Sequence, residues 1–478
     1  MVVVDGNRSS RGCAQRRRDI RLKRFWLALA IPAAVLAAAG TMRLLIARPP
    51  ARLALDLAQP IAVVTNWQGF GAIALGILGA ALALATAAYF CIIRSGPLTT
   101  GLTSPVAIAT VVAASLACAW LVPVLFSSDV YAYAAYGELA RLGANPYAHA
   151  PLARGNPIFD AAVVQWGNPP PGCVYGVVFV SIAAAIVGVT APFGTLFALD
   201  GLRALSSIAL IACTLFACSA YRGDAAERLL AAATIGLNPI AIWSAAEGHN
   251  DALALALVLA GYACARHGRV AIGAFIAAIA GGIKLPAFAA ALPLASLGRG
   301  TWLGVATGIV AALALSIPIF AGVATQLVPH GHYAPAASFQ SIVKPIGIVL
   351  FSSETSAAAT AWVAAAVAAA ACGIAGIRIL RRRKAEGWTY LAGAGWLLIP
   401  NPYPWYALWL VAIAAAAPGT RGATALLLLA AASLLRYVPD AVAAPGPVLS
   451  VLLGAAATLP FVLLVVPPRQ SAMISRLP

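Results

Sequence analysis

A succession of apolar runs occupies most of this chain, near 25–42, 70–93, 105–126, 202–220, 229–246, 252–265, 270–283, 286–298, 301–321, 357–377, 388–400, 404–417, 422–436 and 447–466. A backbone in lipid must satisfy its own N–H and C=O groups, so each run is read as a helix. Several fall short of the ~20 residues that cross a bilayer. Charged residues make up 9% of the chain and hydrophobic ones 62%, against about 25% charged in soluble domains. One soluble core is excluded, and the chain reads as an all-α integral membrane protein of about 12–14 spans.

The net charge of +17 suggests nucleic acid until the positions are read. Basic residues gather in the N-terminal tail and at Arg378 to Lys384, at the ends of apolar runs. That distribution orients a protein in a membrane and attracts anionic lipid, and no basic-aromatic surface for nucleic acid is present. RRRDIRLKR before the run from Phe25 has the layout of a signal peptide. With no clear cleavage site, an uncleaved first helix is expected. Of the eight cysteines only Cys173 falls in a candidate external loop, so no disulfide framework is expected. Metal-ligand spacing of Cys or His is absent.

The apolar piece Val174 to Thr190 is short and follows NPPPGC. If it does not span, 22 basic residues lie inside and 9 outside. If it spans, the majority falls outside, against the positive-inside rule. It is therefore read as re-entrant or juxtamembrane, with both termini cytoplasmic. The expected organisation is a basic tail (1–24), N-terminal spans (25–126), an external loop (127–201), central spans (202–321), a second external loop (322–356) and C-terminal spans (357–478).

This orientation collects the unusual polar residues on the outer side. In SSDVYAYAAYGELARLGANPYAHAP (127–151), Ser127 or Ser128 can cap a helix whose first turn holds Asp129. Helical spacing puts Asp129, Tyr133 and Tyr136 on one face. Gly143, Asn145 and Pro146 end the helix, and Tyr147 and His149 follow. The plain reading is an amphipathic helix with its tyrosines at headgroup level; the sharper one is an acid presented to a substrate.

AEGHNDALAL (245–254) crowds Glu247, His249, Asn250 and Asp251 between two apolar runs. A solvated joint, a metal site, hydrogen bonds to sugar hydroxyls, or orientation of another acid all suit these residues. Lys284 in GGIKLPAF either snorkels to the interface or offers a compact cation to a phosphate. Tyr403, Trp405 and Tyr406 in NPYPWYALWL form an aromatic belt, or stack on a sugar or hold an isoprenoid chain. The loop at 322–356, with His330, His332, Tyr333 and Lys344, is long enough for a lid. Walker, Rossmann, HExxH and GxSxG patterns are absent.

Four segments together resemble a known family: 127–151, QWGNPPPGCVYG, NPIAIWSAAEGHNDALALALVLAG with GGIKLP, and PWYALW. The chain is similar to the GT-C superfamily of polyprenyl-phosphate-sugar-dependent glycosyltransferases, and most so to bacterial polyprenol-phosphomannose-dependent α-1,6-mannosyltransferases. The resemblance covers roughly 105–410. It implies a GT-C-like multi-span bundle with juxtamembrane helices in the first large external loop, in a bacterial plasma membrane, with an extracytoplasmic active site.

It also implies roles. Asp129 matches the acid that deprotonates the acceptor; Asn145, Pro146 and Tyr147 match the NPY segment. Tyr175 and Gly176 match a YGP segment in which Val177 replaces the proline and Cys173 and Val174 replace Ser-Pro. His249, Asn250 and Asp251 match the GHND hairpin, and Lys284 the lysine after the following span. Donor or acceptor contacts are expected from Tyr133, Tyr136, Asn145, Tyr147, Tyr175, Glu247, His249, Asn250, Asp251, Lys284, Lys344, Tyr403, Trp405 and Tyr406.

The reaction implied is a single inverting displacement. Asp129 acts as base and Lys284 or Lys344 stabilises the leaving phosphate. The donor implied is a polyprenyl-phosphate sugar, with mannose as the sugar, and the acceptor a lipid or glycan. No cofactor is expected; a divalent metal is open but not indicated. The rival from another class is a lipid or glycan transporter or flippase without transferase activity. A ligase of preassembled glycans would need a wider cavity than the short loops suggest.

Overall fold

A computed structural model describes residues 26–41, 71–121, 127–148, 150–291, 294, 299–314, 354–382, 384–399, 403–434 and 460. All regular structure among these residues is helical. The helices fall into two units. The first opens with α1 (Trp26–Thr41), α2 (Gly71–Ser95) and α3 (Pro105–Ala119). Three short helices follow: α4 (Asp129–Arg141), α5 (Pro157–Trp166) and α6 (Val177–Thr190). Then come α7 (Thr195–Ala220), α8 (Ala225–Gly236), α9 (Pro239–Ala246), α10 (Asp251–Arg266), α11 (Val270–Gly281) and α12 (Arg299–Ala314). The second unit holds α13 (Glu354–Arg381), α14 (Gly387–Leu398), α15 (Ala407–Ala415) and α16 (Arg421–Leu434).

Among the described residues, by length and composition α7, residues 76–95 of α2 and residues 363–381 of α13 can each cross a membrane, and α8 with α9, bent by 51°, is long and apolar enough for a broken span or a re-entrant loop. Several other runs form apolar helices of 10–17 residues. The chain is an all-α, multi-span membrane protein. The bend between α8 and α9 has a local cause. Pro239 has no N–H to continue the ladder and Asn238 is extended before it, its side chain accepting from Ile240 N at 3.0 Å. The Thr234 carbonyl near the end of α8 takes the Tyr89 hydroxyl of α2 at 3.0 Å. A neighbouring helix thus serves a backbone group beside the proline break, as lipid cannot.

The expected run 286–298 opens not as an α-helix but as a 3-10 turn, Leu285–Ala290, with Pro286 in its first turn. The expected span 447–466 lies outside the described residues except for Pro460. So does the loop 322–356, save its last three residues, which open α13.

The helices that carry the candidate site are α4 to α7, α9 and α10. Asn156 caps α5 by accepting from Ile158 N at 3.0 Å, with Pro157 in the first turn. α4 ends at Arg141, Leu142 caps it, and Gly143 follows at φ 73, a left-handed stop that glycine adopts without strain. The expectation that α4 is amphipathic, burying one face only, is corrected. Residues 130–138 are all buried, because α5, α6 and α7 pack around the helix. Its polar groups survive burial by pairing inside the protein. Glu138 accepts Arg141 Nε and Nη2, both at 2.7 Å, and Asn156 Nδ2 at 2.8 Å. Arg141 beside it holds the Glu138 carboxyl below the usual carboxylate range.

Candidate active site

Asp129 is the first residue of α4. Its N–H donates to the Ser127 hydroxyl oxygen at 3.3 Å, so the serine one residue before the cap position supplies the acceptor; Ser128 makes no side-chain cap bond. The Ser128 carbonyl is held by the Trp166 indole at 3.0 Å from the end of α5. These contacts set where the Asp129 carboxylate starts.

Three side chains converge on one of its oxygens. Tyr133, one turn on, donates to Oδ2 at 3.3 Å, and Tyr175 donates to the same atom at 3.4 Å. The two hydroxyls stand 3.2 Å apart. His249 Nδ1 lies 3.6 Å from Oδ2. Asp129 Oδ1 takes no hydrogen bond from any described residue, while the side chain keeps 13% of its surface exposed. A carboxylate held at one oxygen has a fixed orientation, and the exposed part of its surface can meet a substrate proton. Burial pushes its carboxyl up to about 6, against the Lys284 charge and the Tyr133 bond, which lower it; the Asp251 charge raises it further.

Tyr133, Tyr175 and Phe179 form an edge-to-face triad with centroids 4.9, 4.9 and 5.5 Å apart. It fixes both phenol rings and keeps the hydroxyls on the carboxylate. Tyr175 arrives there through backbone contact. Gly176 N donates to Ile283 O at 3.0 Å and Val178 N to Gly282 O at 2.9 Å. A Cβ on Gly176 would lie 2.1 Å from Gly282 O, so only glycine permits this approach. The same contact brings Lys284 beside Tyr175, with Nζ 5.8 Å from the ring centroid. The departure from the family pattern at Val177 falls on the first residue of α6. Proline and other residues exchange there at little cost, because that N–H has no partner within the helix.

The 247–251 turn is not a solvated joint. Glu247, His249, Asn250 and Asp251 are 4, 1, 2 and 0% exposed. Gly248 turns the chain at φ 89. His249 then faces Asp129, and Asp251 opens α10. Lys284 does not snorkel outward; it pairs with Asp251 Oδ2 at 2.6 Å and is itself buried. Asp129, Asp251 and Lys284 bring two carboxylates and one ammonium into one cluster. Among the described residues no group of three or more His, Cys, Asp or Glu side chains is placed to hold a metal ion.

Tyr136 donates to Pro171 O at 2.9 Å and so holds the Pro-rich loop. Asn145 accepts Tyr147 N at 2.9 Å, and Pro146 O accepts Cys173 N at 2.9 Å, joining the two loop segments. The Tyr147 hydroxyl is buried without a hydrogen-bond partner among the described residues. Glu247 closes α9 two residues before His249. Lys344, His149, His330, His332 and Tyr333 lie outside the described residues. In the second unit, Tyr403 stacks on Trp405 at 4.6 Å and 5°, and Tyr406 meets both edge-on.

Sequence reading missed Trp166, Phe179, Arg203 and Ser206. Arg203 had a signal: it is a basic residue inside the apolar stretch 202–220, where a charge is costly unless partnered.

Fold and site together define an all-α membrane protein with a largely buried, oriented carboxylate. Residues 25–298 match the family model described as alpha-(1->6)-mannopyranosyltransferase, N-terminal domain, and the chain belongs to that family. The cluster from Asp129 to Lys284 lies wholly within the matched residues. Alpha-(1->6)-mannopyranosyltransferase A of Mycobacterium tuberculosis (strain ATCC 25618 / H37Rv) is 30% identical over 177 residues, covering 35% of this chain and 33% of that protein. The match thus spans about a third of the relative's length. No solved structure matches the chain.

Proposed function

We propose that this protein is a membrane glycosyltransferase that moves a hexose, mannose by kinship, from a polyprenyl-phosphate donor to a lipid or glycan acceptor. Asp129 is its general base. One observation carries the reading: Oδ2 of Asp129 is held by two tyrosine hydroxyls, while the side chain keeps 13% of its surface exposed to meet a substrate. The acceptor hydroxyl gives its proton to the carboxylate, its oxygen bonds to the anomeric carbon, and the carbon–oxygen bond to phosphate breaks with its electron pair leaving on the phosphate. One displacement inverts the anomeric carbon, so a β-linked donor gives an α-linked product.

The cluster's charges suit that transition state. Two carboxylates and one ammonium favour the positive charge that develops on the sugar ring. Lys284 is the cation for the leaving phosphate, and its pairing with Asp251 fixes where that charge sits. The basic-residue distribution supports a site on the extracytoplasmic face of the plasma membrane. The reaction as proposed includes no metal step.

The test is transfer of labelled mannose from a polyprenyl-phosphate donor by purified protein, wild type against Asp129→Asn. Loss of about 10²–10⁴-fold in rate with donor binding retained is expected of a removed general base. Transfer that survives the substitution would remove Asp129 from the base role. Lipid binding and flipping without any new glycosidic bond would favour a transporter instead.

A further inference from the structure

We propose that Arg203 of α7 is a positioning residue for the turn that faces Asp129, a role that rests on the transferase reading above. The physical problem lies at the end of α9. A helix leaves its last carbonyls without partners inside it, and here that end is buried: Ala245, Ala246 and Glu247 are 0, 1 and 4% exposed. The turn itself serves one of them, Gly248 N donating to Ala245 O at 3.1 Å, and α7 supplies further donors, including the one for Ala246 O. Arg203 Nε donates to Ala246 O at 2.8 Å, Ser207 donates to Ala245 O at 3.3 Å, and Ser206 donates to His249 O. A cation at a helix C-terminus also complements the helix dipole.

The guanidinium is fixed on its other sides. Nη1 pairs with Asp200 at 2.9 Å, and the group lies 4.6 Å over the Trp120 ring, whose indole donates to Ser207 at 3.1 Å. Gly248 fits between Arg203 and Val130 of α4; a Cβ there would stand 3.3 Å from Arg203 Cγ and 3.1 Å from Val130 Cγ2. α7 and α4 therefore grip the turn from two sides, and α4 is the helix that begins with Asp129. The carbonyls of Ala246 and His249 bracket the residues whose orientation puts Nδ1 of His249 3.6 Å from Asp129. Arg203 touches neither the carboxylate nor the Lys284–Asp251 pair in these contacts, so its effect on the reaction passes through the turn.

The experiment compares wild type, Arg203→Met, Ser206→Ala and Asp200→Asn as full-length protein in detergent micelles. Mannose transfer and hydrogen exchange of the peptide covering 244–252 are both measured. Expected are a kcat fall of tenfold or more for Arg203→Met and of about threefold for Ser206→Ala. Donor KM stays within twofold and exchange is faster in that peptide. Asp200→Asn removes only the outer, half-exposed partner and is expected to stay within twofold of wild type. Lower thermal stability with unchanged kcat and unchanged exchange in 244–252 would overturn the proposal, as would Asp200→Asn losing as much kcat as Arg203→Met. Ser206→Ala keeps it falsifiable if Arg203→Met does not fold. Absence of transfer in the wild type would strike the transferase reading instead, and the exchange comparison would still decide whether Arg203 holds the turn.

Discussion

Asp129 would be unremarkable in a water-facing helix. What changes it is the combination of burial, a single anchored oxygen and a paired lysine nearby. With its carboxyl pushed up to about 6, the sign of the pH effect follows directly. The base form is the carboxylate, so activity falls as pH falls through about 6 and levels off above it. kcat/KM for donor measured between pH 4.5 and 8 is expected to show one acid limb with its midpoint near that value; a profile flat across that window would mean that burial does not tune this group. Lys284 shows the reverse logic. Buried alone it would be costly, and Asp251 at 2.6 Å offsets that cost while holding the ammonium at a defined place.

At the scale of elements, the site depends on backbones that approach closely rather than on long side chains reaching inward. α6 is anchored to the turn before Lys284 at Gly176, and α4 presses on α6 at Gly137, where a Cβ would lie 2.7 Å from the Ala183 carbonyl. Gly176→Ala is therefore expected to lower stability by about 1–3 kcal/mol, the usual cost of overpacking, read as a lower unfolding midpoint in detergent. Gly188→Ala on the same helix meets only Arg141 Cδ at 3.6 Å and is expected to be neutral or slightly stabilising. Equal midpoints for the two variants would show that the Gly176 contact is not a constraint. The Asn238-Pro239 break inside the run 229–246 and the Asn156-Pro157 cap went unread, whereas the start of α4 after Ser127-Ser128 and its stop at Gly143 were readable in sequence, because such signals act within a few residues. The burial of α4 was not, since three helices distant in the chain or across loops produce it.

Across the whole molecule, the positive-inside reading makes a prediction about sidedness. Arg154 in the loop before α5 and Arg222 in the joint between α7 and α8 are both exposed, and fall on opposite sides of the membrane if α6 does not span. In a background without reactive native cysteines, Arg154→Cys is expected to label from outside intact cells with an impermeant maleimide. Arg222→Cys should label only after permeabilisation. Labelling of both from outside would mean that the orientation argument fails.

The sequence by itself determined that this is a helical membrane chain and where most of its helices begin and stop. Hydrophobic runs, proline and capping residues act locally, and a local signal can be read in order. It also marked Asp129, the 247–251 turn and Lys284 as unusual, because polar groups beside apolar runs need a reason. Only the tertiary structure decided which of these meet. Tyr175 reaches Asp129 across 46 residues, Lys284 reaches Asp251 across 33, and Arg203 reaches Ala246 across 43. Such pairings follow from the packing of α4, α6, α7, α9 and α10. The free energy that selects them is spread over many buried contacts, and no single residue's type records it.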